Sequence, residues 1–325
     1  MNDSAISPAP RGTGLDALTE QAARFMRAAK ASSTRQAYAA DLTDFRRFTD
    51  RHSLSYLPST PETVAIYIAD LASRLSVSTI RRRMAAITSA HRQAGYADSP
   101  ASPRRNFVVR EVLAGIKRTL GTAQHGADPL LAGDIRRVVA ATPENLLGLR
   151  DRALILVGYS GAFRRSELAS ILEVEDLTFS ECGLYIRMRR SKTDQEQQGR
   201  TLAVPVGEHR ETCPVRALRA WLETAGITSG AVFRAVDRHG KVATHALSPR
   251  SVAKILKRAA ARAGIDAAAI AGHSLRAGMA TQAALNGAQE RDIAKTTGHR
   301  STAMVRRYIR DADPFRNNAS ARLGL

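Results

Sequence analysis

Four short strings carry side chains that could act together on an anionic centre. They are Gly161-Ala-Phe-Arg-Arg-Ser-Glu-Leu168, Arg190-Ser-Lys-Thr193, His273-Ser-Leu-Arg276, and Gly298-His299 followed nine positions later by Tyr308. Between them they hold a phenol, two imidazoles, an amine and several guanidiniums. A displacement that forms a covalent intermediate without a metal needs such a set: a nucleophile, proton carriers and fixed positive charge. Taken singly, each string has an ordinary structural use. Arg-x-Ser-Glu-Leu reads as a first helical turn with Glu167 at the positive end of the dipole. His-x-x-Arg puts two polar side chains on one helical face, Lys192 fits a solvated turn, and Tyr308 fits a partly buried aromatic.

The elements that must position these residues follow from the rest of the chain. At 325 residues the length predicts about two domains, at roughly 150 residues each. With 44% hydrophobic and 24% charged residues, the composition is that of a globular protein able to bury a core. There are 49 Lys+Arg against 30 Asp+Glu, a formal net charge of +19. A charge of that size points to a polyanionic partner, with nucleic acid first among the candidates. Residues 1–73 are nearly balanced, whereas 74–118 and 250–310 are strongly basic. Cys182 and Cys213 form no CxxC pair, so neither a disulfide framework nor a cysteine zinc site is expected, and a reducing, cytoplasmic setting is. No HExxH or EF-hand spacing and no Walker loop occurs, so neither a metal nor a cofactor is expected. No apolar run approaches 18 residues, and residues 1–14 read as a flexible tail, so no membrane partner is expected.

The first part of the chain reads as helices over 15–30, 34–51 with Ser33 or Thr34 as cap, 61–74 opening at Pro61, 78–94, and 107–120. In the fourth, Ile80, Met84, Ile87 and Ala90 define one apolar face, and Arg81, Arg82, Arg83 and Arg92 fall largely outside it. Residues 121–128 are small and polar and read as a linker between a domain over 15–120 and a second over 129–325. The second part is mixed. Helices are expected at 132–141, 146–160, near 164, 213–225, 248–263, 274–286, 288–297 and 301–310, with β-segments around 176–180, 184–190 and 201–206. The fold class is mainly α with a small β-sheet.

In this order and spacing, the four strings resemble the tyrosine recombinase (phage integrase) family of site-specific DNA recombinases, with an ending similar to its Cre-like branch. The resemblance covers nearly the whole chain. It implies a helical SAM-like core-binding domain followed by a mixed α+β catalytic domain. On this likeness Arg164 matches the first catalytic arginine, Glu167 its acidic support, and Lys192 the lysine of the β-hairpin loop. His273 and Arg276 match the His-x-x-Arg pair, His299 a position that is His or Trp, and Tyr308 the nucleophile. The family commonly has Gly-Leu-Arg where this chain has Ala162-Phe163-Arg164, and Arg165 leaves a one-residue ambiguity in which the Ser-Glu-Leu register favours Arg164.

The resemblance implies metal- and ATP-independent cleavage and rejoining of DNA through a 3′-phosphotyrosyl intermediate. Arg164 and Arg276 can clamp non-bridging oxygens bidentately. Tyr308 must lose a proton as it attacks, and His273 can accept it, while Lys192 can protonate the departing 5′ oxygen. His299 would bond the phosphate and Glu167 would orient its neighbours. The implied partner is double-stranded DNA with inverted-repeat half-sites, bound as a dimer per site and a homo-tetramer on two sites. Arg35, Arg81, Arg82, Arg250 and Lys254 are the candidate DNA contacts, most of them to phosphate. In segment 311–325, Phe315, Ala319 and Leu323 form a small apolar stripe that either packs on its own domain or docks into a neighbouring protomer. A type IB topoisomerase-like enzyme and a catalytically idle DNA-binding protein are the alternatives.

Overall fold

The computed structural model describes residues 14–96, 98–122, 127–170, 172–189 and 199–299, together with Val305, Arg306, Tyr308, Ser320 and Leu323. Lys192, Phe315 and Ala319 lie outside the described residues, as does most of 301–310 and 311–325. The chain divides into two units, residues 1–125 and 126–325.

The first unit is helical: α1 (Gly14–Ala28), α2 (Ser32–Arg51), α3 (Pro61–Ala72), α4 (Val77–Gln93) and α5 (Phe107–Leu120). Starts follow local chemistry. Thr60 accepts a hydrogen bond from Thr63 N at the head of α3, with Pro61 at the first helical position, where its missing N–H costs nothing. Ser76 does the same for Thr79 N in α4. The expected Ser33 or Thr34 cap of α2 is not formed. That helix begins at Ser32 after Ala31, which makes no side-chain cap bond. Phe45, Tyr67, Ile68, Leu71, Ile80 and Ile87 are essentially buried and make the centre of this unit.

Sequence spacing misplaced part of the charge on α4. Arg83 is drawn inward, its side chain 14% exposed, and its Nη1 donates to Tyr67 Oη (2.7 Å) and to Asp44. Tyr67 Oη in turn donates to Asp44 Oδ2 (2.9 Å). Burial raises the Tyr67 pKa, so the phenol keeps the proton that it donates. Arg82 Nη1 donates to Oδ2 of buried Asp41 (2.6 Å). Both ties join α4 to α2, because a carboxylate leaving water must be paired.

The second unit holds α6 (Ala132–Ala140), α7 (Leu146–Ser160), α8 (Arg165–Ser170), α9 (Pro214–Thr224), α10 (Pro249–Arg262), α11 (Ser274–Leu285) and α12 (Glu290–Thr297). It also holds an antiparallel sheet of β1 (Leu177–Phe179), β2 (Gly183–Met188) and β3 (Arg200–Pro205) in that order. The alternation in β2 buries Leu184, Ile186 and Met188, and the register pairs Ile186 with Leu202 and Met188 with Arg200. Trp221 sits fully buried in the core and its indole N–H donates to Val232 O (2.8 Å). A second hairpin, β4 (Arg234–Val236) and β5 (Val242–Ala246), was not visible in the sequence pattern. Its strands are short and half-buried, without clean alternation. Its turn is made by Asp237, whose Oδ1 accepts from His239 N and Lys241 N, and by Gly240 at φ 83°.

Candidate active site

Arg164 stands at the junction of α7 and α8. Its backbone N donates to Glu167 Oε2 (2.8 Å) and its Nη1 to Glu167 Oε1 (2.7 Å). Glu167 is completely buried and the Arg164 side chain is 12% exposed. One carboxylate thereby both starts the short helix and aims the guanidinium. Arg165 is exposed and its side chain lies across Gly272, where an added Cβ would come within 2.7 Å of Cδ. Of the two arginines, only Arg164 points into the charged cluster described next.

Arg276, on the first turn of α11, is fully buried. Its Nη1 donates to Ala162 O (2.8 Å), and its Nη2 to His299 Nε2 (3.0 Å). Burial, then the nearby Arg164 cation, pushes the Arg276 pKa down to about 10, so the group is still charged at neutral pH. Ala162 presents its carbonyl from a left-handed backbone conformation, φ 49°. That bend at the end of α7 turns the chain under α11.

His299 follows α12 after Gly298, which closes the helix in the left-handed conformation, φ 65°. The imidazole Nδ1 is 2.8 Å from Thr297 Oγ1, which itself donates to Ile293 O (2.7 Å). The Thr297 proton is used there and Arg276 can only donate, so His299 carries its proton on Nδ1 and accepts on Nε2. Burial first, then Arg276, Arg164, His273 and Arg200, pushes its pKa down to about 4. The Tyr308 ring is stacked on His299, centroids 5.9 Å apart at 30°. Tyr308 is half-buried and packs against the small cluster of Ala280, Ala284, Ile293 and Val305.

His273 is exposed at the N-cap of α11, one turn before Arg276. The structure therefore brings together Arg164, Glu167, Arg276, His299 and Tyr308, with His273 at the edge. One further cation joins them that the motifs did not indicate. Arg200, the first residue of β3, feels Glu167 and Arg164, and contributes to the environment of both Arg276 and His299. Its only sequence signal is its position just after the segment that holds Lys192.

The candidate DNA contacts divide by partner. Arg81, Arg250 and Lys254 are exposed on α4 and α10. Arg35 is exposed on α2 and its Nη1 donates to Lys30 O (2.9 Å). Arg82 is committed to Asp41, as described. α10 is held from beneath by Asp151, 1% exposed, which accepts from Arg150 Nη2 (2.6 Å) within α7 and from Arg258 Nη2 (3.0 Å) on α10. Among the described residues no group of three or more His, Cys, Asp or Glu side chains could hold a metal ion, and no helix is long and apolar enough to cross a membrane.

The chain has known relatives. Residues 130–314 match the Phage integrase family and residues 23–95 match the Phage integrase N-terminal SAM-like domain, so the chain belongs to the phage integrase family. It is 41% identical over 307 residues to an integrase/recombinase XerD homolog of Selenomonas ruminantium, covering 94% of this chain and 89% of that protein. The identity to the recombinase Cre of Escherichia phage P1 is 25% over 278 residues, 79% of this chain and 78% of that protein. Among solved structures, XerH site-specific recombinase bound to a palindromic difH substrate has a TM-score of 0.59 at 16% identity, covering 89% of this chain and 79% of that one. A lambda integrase dimer bound to a COC′ core site has a TM-score of 0.59 at 15% identity, covering 91% and 77%. The likeness to these two structures is one of fold.

Proposed function

We propose that the protein is a site-specific DNA recombinase that cleaves and rejoins strands through a 3′-phosphotyrosyl ester on Tyr308. The observation that carries this reading is the assembly of Arg276, His299 and Tyr308 beside the Arg164–Glu167 pair. Arg164 and Arg276 neutralise the phosphorane. Arg276 uses one N–H of each terminal nitrogen on Ala162 and His299, and its Nε has no partner among the described residues, so donors are left for phosphate oxygens. His273 takes the phenol proton and Lys192 supplies one to the leaving 5′ oxygen. His299 acts chiefly by holding Arg276, since its Nε2 already accepts from that group. The ester conserves the energy of the broken bond, so a second 5′ hydroxyl reverses the step with neither ATP nor metal.

The partner is double-stranded DNA carrying inverted-repeat half-sites. The protein binds as a dimer per site and as a homo-tetramer on two sites, through a core-binding domain over 15–120, a linker over 121–128 and a catalytic domain over 129–325. Segment 311–325 links protomers, and the setting is the bacterial cytoplasm. The Xer-named relatives, at 41% identity in one case, support recombination as the outcome. A duplex selected from random-sequence DNA on the protein, nicked within one half-site, tests the reading. A covalent adduct that Tyr308→Phe abolishes, together with recombinants from paired sites, is expected. No adduct would mean a DNA-binding protein only; adducts and relaxation without recombinants would mean a topoisomerase.

A further inference from the structure

Arg200 begins β3 at the foot of the 190–198 segment, and its side chain reaches α12. Its Nη1 donates to Lys295 O (3.2 Å) and Thr296 O (3.1 Å), two carbonyls at the C-terminal end of that helix. Such carbonyls have no partner within the helix and carry the negative end of its dipole, so a guanidinium suits them. The next residues are Gly298 and His299. A Cβ on Gly298 would lie 2.5 Å from Arg200 Nη1 and 2.8 Å from its Cζ, so the guanidinium rests directly on the Gly298 backbone. Glycine is needed there twice, for its positive φ and for this close approach. Arg200 Nη2 is buried and has no hydrogen-bond partner among the described residues, and desolvation holds the Arg200 pKa below its usual range. A cation kept in such a place at a cost in solvation has a use beyond filling space.

Resting on the recombinase reading above, we infer that Arg200 is a positioning residue: it clamps the end of α12 and so sets His299, which in turn holds Arg276. The chain of contacts runs from Arg200 to Lys295 O and Thr296 O, through Gly298 to His299, and from His299 Nε2 to Arg276 Nη2. Loosening the first link frees the last. The clamp also ties the start of β3 to the element that carries His299.

The test uses the full chain and the nicked, selected duplex. Arg200→Ala should bind that duplex within about twofold of wild type yet form the covalent adduct at least about tenfold more slowly, the loss expected when a charge-assisted hydrogen-bond clamp goes. Arg200→Lys, which keeps the charge on a single donor nitrogen but not the planar fork, should recover part of the rate. The double variant Arg200→Ala/His299→Ala should be no slower than His299→Ala alone, because the two act in series. In Arg200→Ala the His299 imidazole, followed by NMR, should titrate at higher pH, since one flanking cation has gone. Wild-type adduct with an equally fast Arg200→Ala, or losses that multiply in the double variant, overturns the inference. No adduct from the wild-type protein overturns the recombinase reading instead. Should Arg200→Ala not fold, the same cycle with Arg200→Lys decides.

Discussion

Arg276 donates from Nη2 to His299 Nε2 across 3.0 Å, and this contact sets the state of both residues. It requires a neutral His299 with its proton on Nδ1, and together with Ala162 O it holds the buried guanidinium in one orientation. Phosphate arriving at Arg276 would therefore meet a cation already aligned, which spares the cost of ordering it during the reaction.

His299 should show in the pH dependence of stability. Its folded pKa, about 4, lies below the unfolded value of roughly 6.5, so as pH falls the unfolded chain takes up the proton first. The stability it confers is complete above the unfolded pKa and is lost progressively down to the folded one. Urea unfolding of wild type should thus weaken between those two pH values more steeply than that of His299→Gln. Equal slopes for the two proteins would show that His299 is not held neutral.

Removing Glu167 strands a nearly buried guanidinium. Glu167→Ala should lower stability by about 3 kcal/mol, the usual cost of leaving one member of a buried pair. Glu167→Gln, which keeps an acceptor for Arg164 but no charge, should cost less. Urea midpoints measure both, and a loss below ~0.5 kcal/mol for Glu167→Ala, typical of an exposed pair, would contradict the geometry.

Ala162 pays a steric penalty for its left-handed backbone that glycine would not. Ala162→Gly should raise stability by up to ~1 kcal/mol, the αL penalty less the extra freedom glycine gives the unfolded chain. The carbonyl bonded to Arg276 stays where it is, so adduct formation should be unchanged. A lowered Tm would mean that the methyl group packs favourably enough to outweigh the strain.

Arg81 and Arg82 are neighbours with opposite commitments. If about eight phosphates are neutralised, log K for the selected duplex should fall with log salt at a slope near −7. Arg81→Ala should make that slope shallower by about one, as loss of one phosphate contact does. Arg82→Ala should instead destabilise the first unit by freeing Asp41. A slope near zero for wild type, or a change in slope only for Arg82→Ala, would reverse this assignment.

Much of the site was legible because its signals are local. The Arg-x-Ser-Glu-Leu, His-x-x-Arg and Gly-His strings each sit at a helix end, where a few consecutive residues set backbone direction, and the apolar spacing of Ile80, Met84 and Ile87 placed one face of α4 in the core. Local spacing could not assign Arg82 and Arg83. Both lie off that apolar stripe, yet Asp41 and Asp44 on α2 draw one into an ion pair and the other into a buried hydrogen-bonded triad.

What the amino-acid sequence determined by itself was the order of the described helices and of the first three strands, the mainly helical class and the set of groups able to do the chemistry, since caps, periodicity and residue type act within a turn or two of chain. The tertiary structure alone decided which imidazole nitrogen holds the proton on His299, and that Arg200 belongs to the site at all. Those outcomes depend on partners far away in the chain. The register of β3 against β2 and the end of α12 bring Arg200 to Gly298, and burial next to other cations, rather than any local spacing, sets the protonation of His299.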